Sequence, residues 1–222
     1  MTSVSAGWRE AQERVARACA RARRPVNSVE LLAVSKLKPE AALREAYAAG
    51  ARQFGENYAQ ELRDKARAMA DLPGLVWHAI GPLQKNKAKY VAQSATFFHA
   101  LDRFDVAEEL SRRRVGAPLL CYLEVNLGAE HSKGGVPPNE VAALLSQVQA
   151  LSNLTVVGLM SLPPQGATPE ASRPYFQQLR ALAAGLGLPG LSMGTSADFE
   201  VAIEEGATLV RVGTLIFSAR GT

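Results

Sequence analysis

Short apolar runs alternate with helix-patterned stretches along almost the whole chain, and that alternation leaves few folds open. An opening helix is expected over residues 3–24, where Trp8, Val15, Ala18 and Cys19 recur at helical spacing and Pro25 follows. The first apolar run is 30–35 (ELLAVS). Pro39 then suits the first turn of a helix that Gly50 ends. Further strand-like runs fall at 52–55, 75–80, 96–100, 118–125, 154–160, 191–193 and 208–212. Helices are expected between them, at 56–70, 84–93, 103–115, 138–151, 169–186 and 199–205.

Strands that alternate with helices pair in parallel through right-handed crossovers. A doubly wound open sheet and a closed (β/α)8 barrel both satisfy this. Eight is the barrel number and no GxGxxG follows the first run, so the expectation is an α/β fold of the TIM-barrel type. At 222 residues the chain is short for that fold, and residues 213–220 allow one helical turn at most after the eighth strand. The N-terminal helix has no strand before it. It is expected to cover the gap left by a missing eighth helix, making 1–222 a single domain with 1–24 packed on the barrel.

Apolar residues make up 47% and charged residues 21%, which excludes a disordered or fibrous chain. The uncharged apolar runs are only strand-sized, so no transmembrane helix is expected, and residues 1–24 lack the apolar stretch of a signal peptide. Cys19 and Cys121 show no pairing pattern and read as reduced thiols of a cytoplasmic protein. The net charge is +4. Arginines cluster at Arg14, Arg17, Arg21, Arg23 and Arg24, and at Arg112 to Arg114, with Glu10, Glu13, Glu108 and Glu109 interleaved. No aromatic residues are interspersed, so these stretches read as solvated helix faces and not as a nucleic-acid surface.

In such barrels the reactive groups project from the carboxyl ends of the strands. Here those ends carry Ser35, Lys36, Gly55, Glu56, Asn57, His78, His99, Asp102, Glu124, Asn126, Met160, Ser161, Ser192 to Ser196, Arg211, Gly213 and Thr214. Lys36 ends an apolar strand, where its ammonium would lose water at the barrel mouth; a neutral amine there can form a Schiff base. The plainer alternative is a lysine turned to solvent, as expected of Lys38. Gly194-Thr195-Ser196 and Gly213-Thr214 form turns after strands seven and eight, the usual phosphate position of this fold, or else simply tight turns. Arg211 lies inside an apolar strand and needs a partner, either a ligand or a carboxylate such as Glu124. A Schiff-base lysine, a phosphate cup and a buried arginine together suggest pyridoxal 5′-phosphate.

The chain resembles the pyridoxal phosphate homeostasis proteins, single-domain relatives of the N-terminal barrel of alanine racemase. The resemblance rests on AVSKLKP at 33–39, FGENYAQEL at 54–62, WHAIGPLQKNK at 77–87, EVNLGAEHSKGG at 124–135, GLMSLPP at 158–164 and LSMGTSADFEVAIEEGATLVRVGTLIF at 191–217. Ala79 and Thr195 stand where bulkier apolar residues are expected, and Ser218 where glycine is. The resemblance implies that Lys36 carries the cofactor as a covalent aldimine. It implies that Ser196, Gly213 and Thr214 hold the phosphate, that Arg211 faces the pyridine nitrogen and that Asn57 lies at the cofactor's edge. Met160 is expected to line the pocket. A mostly monomeric state and a role in vitamin B6 balance are implied as well. His78, Gln84, Asn86 and Lys87 mark a loop to which no role is assigned.

An arginine beside the ring nitrogen disfavours its protonation and weakens the ring as an electron sink. Racemisation needs an acid and a base on opposite faces of the substrate carbon. The tyrosine that opposes the lysine in two-domain racemases comes from a second domain, and this chain ends at Thr222. Three functions therefore stand open. The first is a binder without robust catalysis, which holds the cofactor or delivers it to pyridoxal-phosphate-dependent apoenzymes. The second is an amino-acid racemase-like enzyme, and the third a cofactor-free, Schiff-base aldolase-like barrel. No metal site is expected.

Overall fold

Eight parallel strands close into a barrel in the computed structural model, which describes residues 3–128, 134–164 and 168–217. They are β1 (Glu30–Val34), β2 (Gln53–Glu56), β3 (Val76–Ala79), β4 (Phe97–Leu101), β5 (Leu119–Glu124), β6 (Leu154–Met160), β7 (Gly190–Thr195) and β8 (Leu209–Val212). Each pairs with the next, and β8 returns to β1 with Glu30 opposite Leu209 and Ala33 opposite Val212. The closed (β/α)8 barrel expected from the alternation is the fold.

The helices are α1 (Val4–Arg21), α2 (Glu40–Ala48), α3 (Ala59–Ala68), α4 (Ala88–Ser94), α5 (Phe104–Arg113), α6 (Val141–Gln149), α7 (Arg173–Gly185), α8 (Phe199–Glu204) and α9 (Thr214–Phe217). Four begin three or four residues later than the pattern placed them. Single 3-10 turns at Lys85–Lys87, Pro138–Glu140 and Glu170–Ser172 lead into α4, α6 and α7. Prolines at or just before the second and third of these turns fix φ but supply no N–H, so the chain enters through a tighter turn. The segment after β2 runs extended through Tyr58, so α3 starts at Ala59 instead of residue 56.

Helix α1 packs on α8, α9 and α2. Its buried face is Trp8, Ala11, Val15, Ala18 and Cys19, at spacings of three and four. A Cβ on Gly7 would lie 2.6 Å from the carbonyl oxygen of Leu215, so glycine is what lets the two backbones touch. The arginines of this helix do more than face water. Arg14 binds Glu200 through two 2.9 Å hydrogen bonds and lies over the Phe199 ring. Arg21 reaches Glu204, and Arg24 donates to the carbonyls of Ile203 and Ala207. They are the seam to α8, whose Glu200 and Glu204 are the partners of Arg14 and Arg21. Arg112 and Arg113, by contrast, pair with Glu109 on their own helix.

After β8 the described chain forms only the one-turn α9; Ser218 and Arg220 lie outside the described residues. Cys19 and Cys121 are both buried and not joined to each other. Among the described residues no helix is long and apolar enough to cross a membrane, and no cluster of three or more His, Cys, Asp or Glu is arranged for a metal.

Candidate functional site

One cavity of about 600 Å³ opens at the carboxyl ends of the strands. Lys36, Asn57, Met160, Ser196, Arg211, Gly213 and Thr214 all line it. They come from the ends of β1, β2, β6, β7 and β8, and the barrel's closure, which sets β8 beside β1, brings them together. Val34, Lys38, Ile80, Leu162, Thr195 and Ala197 complete the lining.

Lys36 follows β1 in a tight turn. Lys38 N–H donates to Ser35 O at 3.0 Å, and Leu37 adopts a left-handed φ of 59°. Beneath the turn lies a cluster of charges. Lys65, buried in α3, donates to Ser35 O at 2.8 Å, Glu56 Oε1 at 2.8 Å and Glu61 Oε1 at 2.7 Å. Ser35 Oγ also donates to Glu56, and Leu37 N–H donates to Glu61. Burial pushes the Glu56 carboxyl up to about 7, and the Lys65 ammonium opposes it. Two expectations are corrected. Lys36 is exposed, because its turn carries it past the strand to the open mouth, so the loss of water inferred for it is not found. Lys38, expected in solvent, is half-buried, lines the cavity and donates to Phe217 O at 3.1 Å.

The turns after β7 and β8 are tied together. Ser196 Oγ accepts from Gly213 N–H at 3.0 Å. Asp198 Oδ1 accepts from Thr195 N–H and Thr195 Oγ1. Gly194 has a φ of 89°, and a Cβ there would meet Ala202 Cβ at 2.5 Å, so the turn requires glycine. Arg211 projects from β8 to the cavity and is 5% exposed. It does not form the carboxylate ion pair considered from the sequence. Nη1 donates to Ser192 O at 2.9 Å and Ser192 Oγ at 2.7 Å, and Nη2 to Ser161 O at 3.0 Å. Burial lowers its pKa to about 10, and Glu124 counters this only through space. Glu124 is itself pushed up to about 7 by burial, with Asp102 adding to the effect.

His78 and His99 are not at the rim. They lie within β3 and β4, fully buried inside the barrel, with their ring nitrogens 2.9 Å apart. His78 therefore does not belong to the loop of Gln84 and Lys87. Those two line a second cleft of about 400 Å³, which shares Asn57 with the first and also meets Tyr58, Asp102 and Arg103. Asn86 lies between them and is exposed. The motif at 124–135 falls partly outside the described residues, which omit 129–133.

Residues 11–221 match the family described as alanine racemase, N-terminal domain. The pyridoxal phosphate homeostasis proteins of Aquifex aeolicus and Pseudomonas aeruginosa are each 45% identical to this chain. The matches cover 94% and 99% of it, and 94% and 97% of the two relatives. The chain belongs to the pyridoxal phosphate homeostasis protein family. The solved structure of PipY from Synechococcus elongatus superposes with a TM-score of 0.82 at 40% identity, covering 93% of this chain and 99% of that one. PipY has been solved without and with PLP bound.

Proposed function

We propose that this protein binds pyridoxal 5′-phosphate at the barrel mouth, as a Schiff base on Lys36, and holds it for intracellular vitamin B6 balance without robust catalysis. The observation that carries this is the single cavity in which an exposed amine, a buried guanidinium and two tied hydroxyl-bearing turns converge. The residues fit the group. Its phosphate is a strong acceptor; Ser196 and Thr214 offer hydroxyls beside Lys36 and Lys38, and the Gly213 N–H, which donates to Ser196 Oγ, would turn to the phosphate. Its ring nitrogen is an acceptor too, and Arg211 can only donate. Asn57 and Met160 border the remaining edge. When bound, the cofactor supplies an aldehyde, and the neutral form of the Lys36 amine is the nucleophile for it.

The same lining supports a holder over a racemase. Among the described residues of the cavity, the ionisable side chains are Lys36, Lys38 and Arg211, and the five tyrosines lie elsewhere. Lys36 and Lys38 lie two residues apart on one turn, whereas racemisation needs opposed groups. The charge of Arg211 disfavours a protonated ring.

The test is an absorbance spectrum of the purified protein with added cofactor, then borohydride reduction and peptide mapping. A visible band trapped as a pyridoxyl adduct on Lys36, and lost in a Lys36→Ala variant that still folds, is the expected result. An unfolded Lys36→Ala protein would make that lysine structural. No band would redirect the search to sugar-phosphate substrates of a Schiff-base lysine. Exchange of amino-acid α-protons into heavy water that Lys36→Ala abolishes would identify an enzyme instead.

A further inference from the structure

A chain of side-chain hydrogen bonds runs down the inside of the barrel, from its mouth to the amino ends of the strands. Arg211 Nη1 donates to Ser192 Oγ at 2.7 Å, and His99 Nδ1 lies 2.8 Å from the same oxygen. His99 Nε2 lies 2.9 Å from His78 Nδ1, and His78 Nε2 lies 2.6 Å from Gln53 Oε1. Gln53 Nε2 donates to Glu30 Oε2 at 2.7 Å. Ser192, His99 and His78 are fully buried.

The two ends fix the direction of every link. A guanidinium only donates and a carboxylate only accepts. Glu30 takes a hydrogen from the Gln53 amide nitrogen, so the Gln53 oxygen accepts from His78, whose proton sits on Nε2. Burial holds both rings neutral, lowering His78 to about 3 and His99 well below the usual histidine range. His78 Nδ1 is then bare, so His99 donates to it from Nε2. His99 Nδ1 is bare in turn and accepts the Ser192 hydroxyl hydrogen. The Ser192 oxygen is left to accept from Arg211. A single arrangement satisfies all these atoms, and every hydrogen bond points away from the mouth. The chain runs between aromatic walls. Phe97 stacks on His78 with ring centres 4.5 Å apart, and Tyr122 lies 4.6 Å from His99. Excluding water in this way strengthens the buried links from Arg211 through Ser192 and His99 to His78, while the Gln53–Glu30 end is exposed.

We infer that Gln53, His78, His99 and Ser192 are positioning residues for Arg211. They present it with a fixed neutral acceptor, aim its guanidinium at the mouth and leave its charge uncancelled. Built on the reading of that cavity as a pyridoxal phosphate site, this makes the pocket selective for a ring whose nitrogen keeps its lone pair. A carboxylate under Arg211 would hold it equally still but would offset the charge that excludes a protonated ring.

Two measurements test the chain. Nitrogen–proton correlation spectra of the imidazole rings in the ligand-free protein need no cofactor. Both His78 and His99 are expected as neutral Nε2–H tautomers, assigned by the loss of each signal on substitution. An Nδ1–H form or a charged ring at either position overturns the chain. The second is a titration with pyridoxal phosphate, comparing the parent with Ser192→Ala, His99→Gln and His99→Asn. Asparagine sets an acceptor near the place of Nδ1, and glutamine does not. Ser192→Ala and His99→Gln are expected to bind roughly ten- to a hundredfold more weakly, the loss of one hydrogen bond to a charged group, with a shifted absorption band. His99→Asn should stay near the parent, within about threefold. Unchanged affinity and spectrum in Ser192→Ala and His99→Gln, with only a lower Tm, would leave these residues a merely structural part and overturn the inference. If the parent binds no pyridoxal phosphate, the cofactor reading fails on its own, and the tautomers alone decide the chain.

Discussion

Lys36 and Arg211, on opposite sides of the β1–β8 seam at the mouth, are held in opposite ways. The Lys36 turn stands on a charged cluster, in which one buried ammonium, Lys65, bridges Glu56 and Glu61 and reaches the turn through Ser35 O. Among the described residues Arg211 rests on neutral acceptors, the carbonyls of Ser192 and Ser161 and the Ser192 hydroxyl. Opposite charges held this close project little field, which suits a platform beneath the amine proposed to react. Neutral acceptors fix a guanidinium without cancelling it, which suits a group whose charge is meant for a ligand.

The largest expected effect falls on the charged side. Lys65→Met leaves the buried Glu56 and the half-buried Glu61 without their shared cation and should cost about 3–5 kcal/mol, the range for breaking a buried pair. Ser192→Ala, which removes one neutral acceptor and leaves the carbonyls in place, should cost about 1–2 kcal/mol. Urea denaturation of both variants checks the contrast. Similar losses would mean that the two supports are energetically alike.

Glu124 offers a finer probe, because it is a carboxyl near Arg211 that burial keeps from ionising easily. Its folded pKa, about 7, lies above the unfolded value near 4.5. The folded state therefore binds more protons between those values, and the group's contribution is greatest below pH 4.5 and is lost as pH rises through 7. Glu56 acts with the same sign. His78 and His99, held neutral by burial, act with the opposite sign below about pH 6.5, so the measurement is the difference between parent and variant. Relative to Glu124→Gln, the parent should lose on the order of 2 kcal/mol of stability between pH 5 and 8. Denaturation midpoints at pH 5, 6, 7 and 8 measure it. A parent that loses no stability relative to Glu124→Gln across this window would show Glu124 to be ionised throughout and paired with Arg211, and would erase the difference between the two sides.

The pocket side of this comparison could be read from the sequence, while the supports could not. Runs such as ELLAVS and LTVVGLM alternate with proline- and glycine-bounded helices, and short parallel strands buried on both faces leave that periodic trace. Lys36, Arg211 and the two glycine turns stood out because each breaks an apolar pattern at a strand end. Lys65 did not, since AQELRDKARA looks like an ordinary solvated helix with an i,i+4 pair. Its burial comes from α3 packing under a turn some thirty residues earlier, as the Lys65 bond to Ser35 O records. His78 and His99 were placed at the rim because their strands are only four and five residues long and end close by. Alternation then turned both rings inward, and a ladder that skips from β2 to β3, β4 and β7 has no local signature. Lys38 went to solvent in the sequence pattern for the same reason, its partner being Phe217 O at the other end of the chain.

The smallest predicted effect concerns the backbone that the charged side supports. Leu37 sits at a φ of 59° and is 50% exposed, so it has little packing to lose and a Cβ that the left-handed region disfavours. Relief of that strain amounts to about 1 kcal/mol, offset in part by the greater freedom glycine gives the unfolded chain. Leu37→Gly should therefore stabilise by roughly 0.5 kcal/mol, and Leu37→Val, β-branched in the same conformation, should destabilise by about 1 kcal/mol. Thermal and urea unfolding of the two variants give the sign. If both destabilise equally, the side chain matters and the backbone does not. If the signs split, the Glu61 bond to Leu37 N–H holds the turn in a conformation its own sequence resists, and the charged cluster is what imposes the shape from which Lys36 projects.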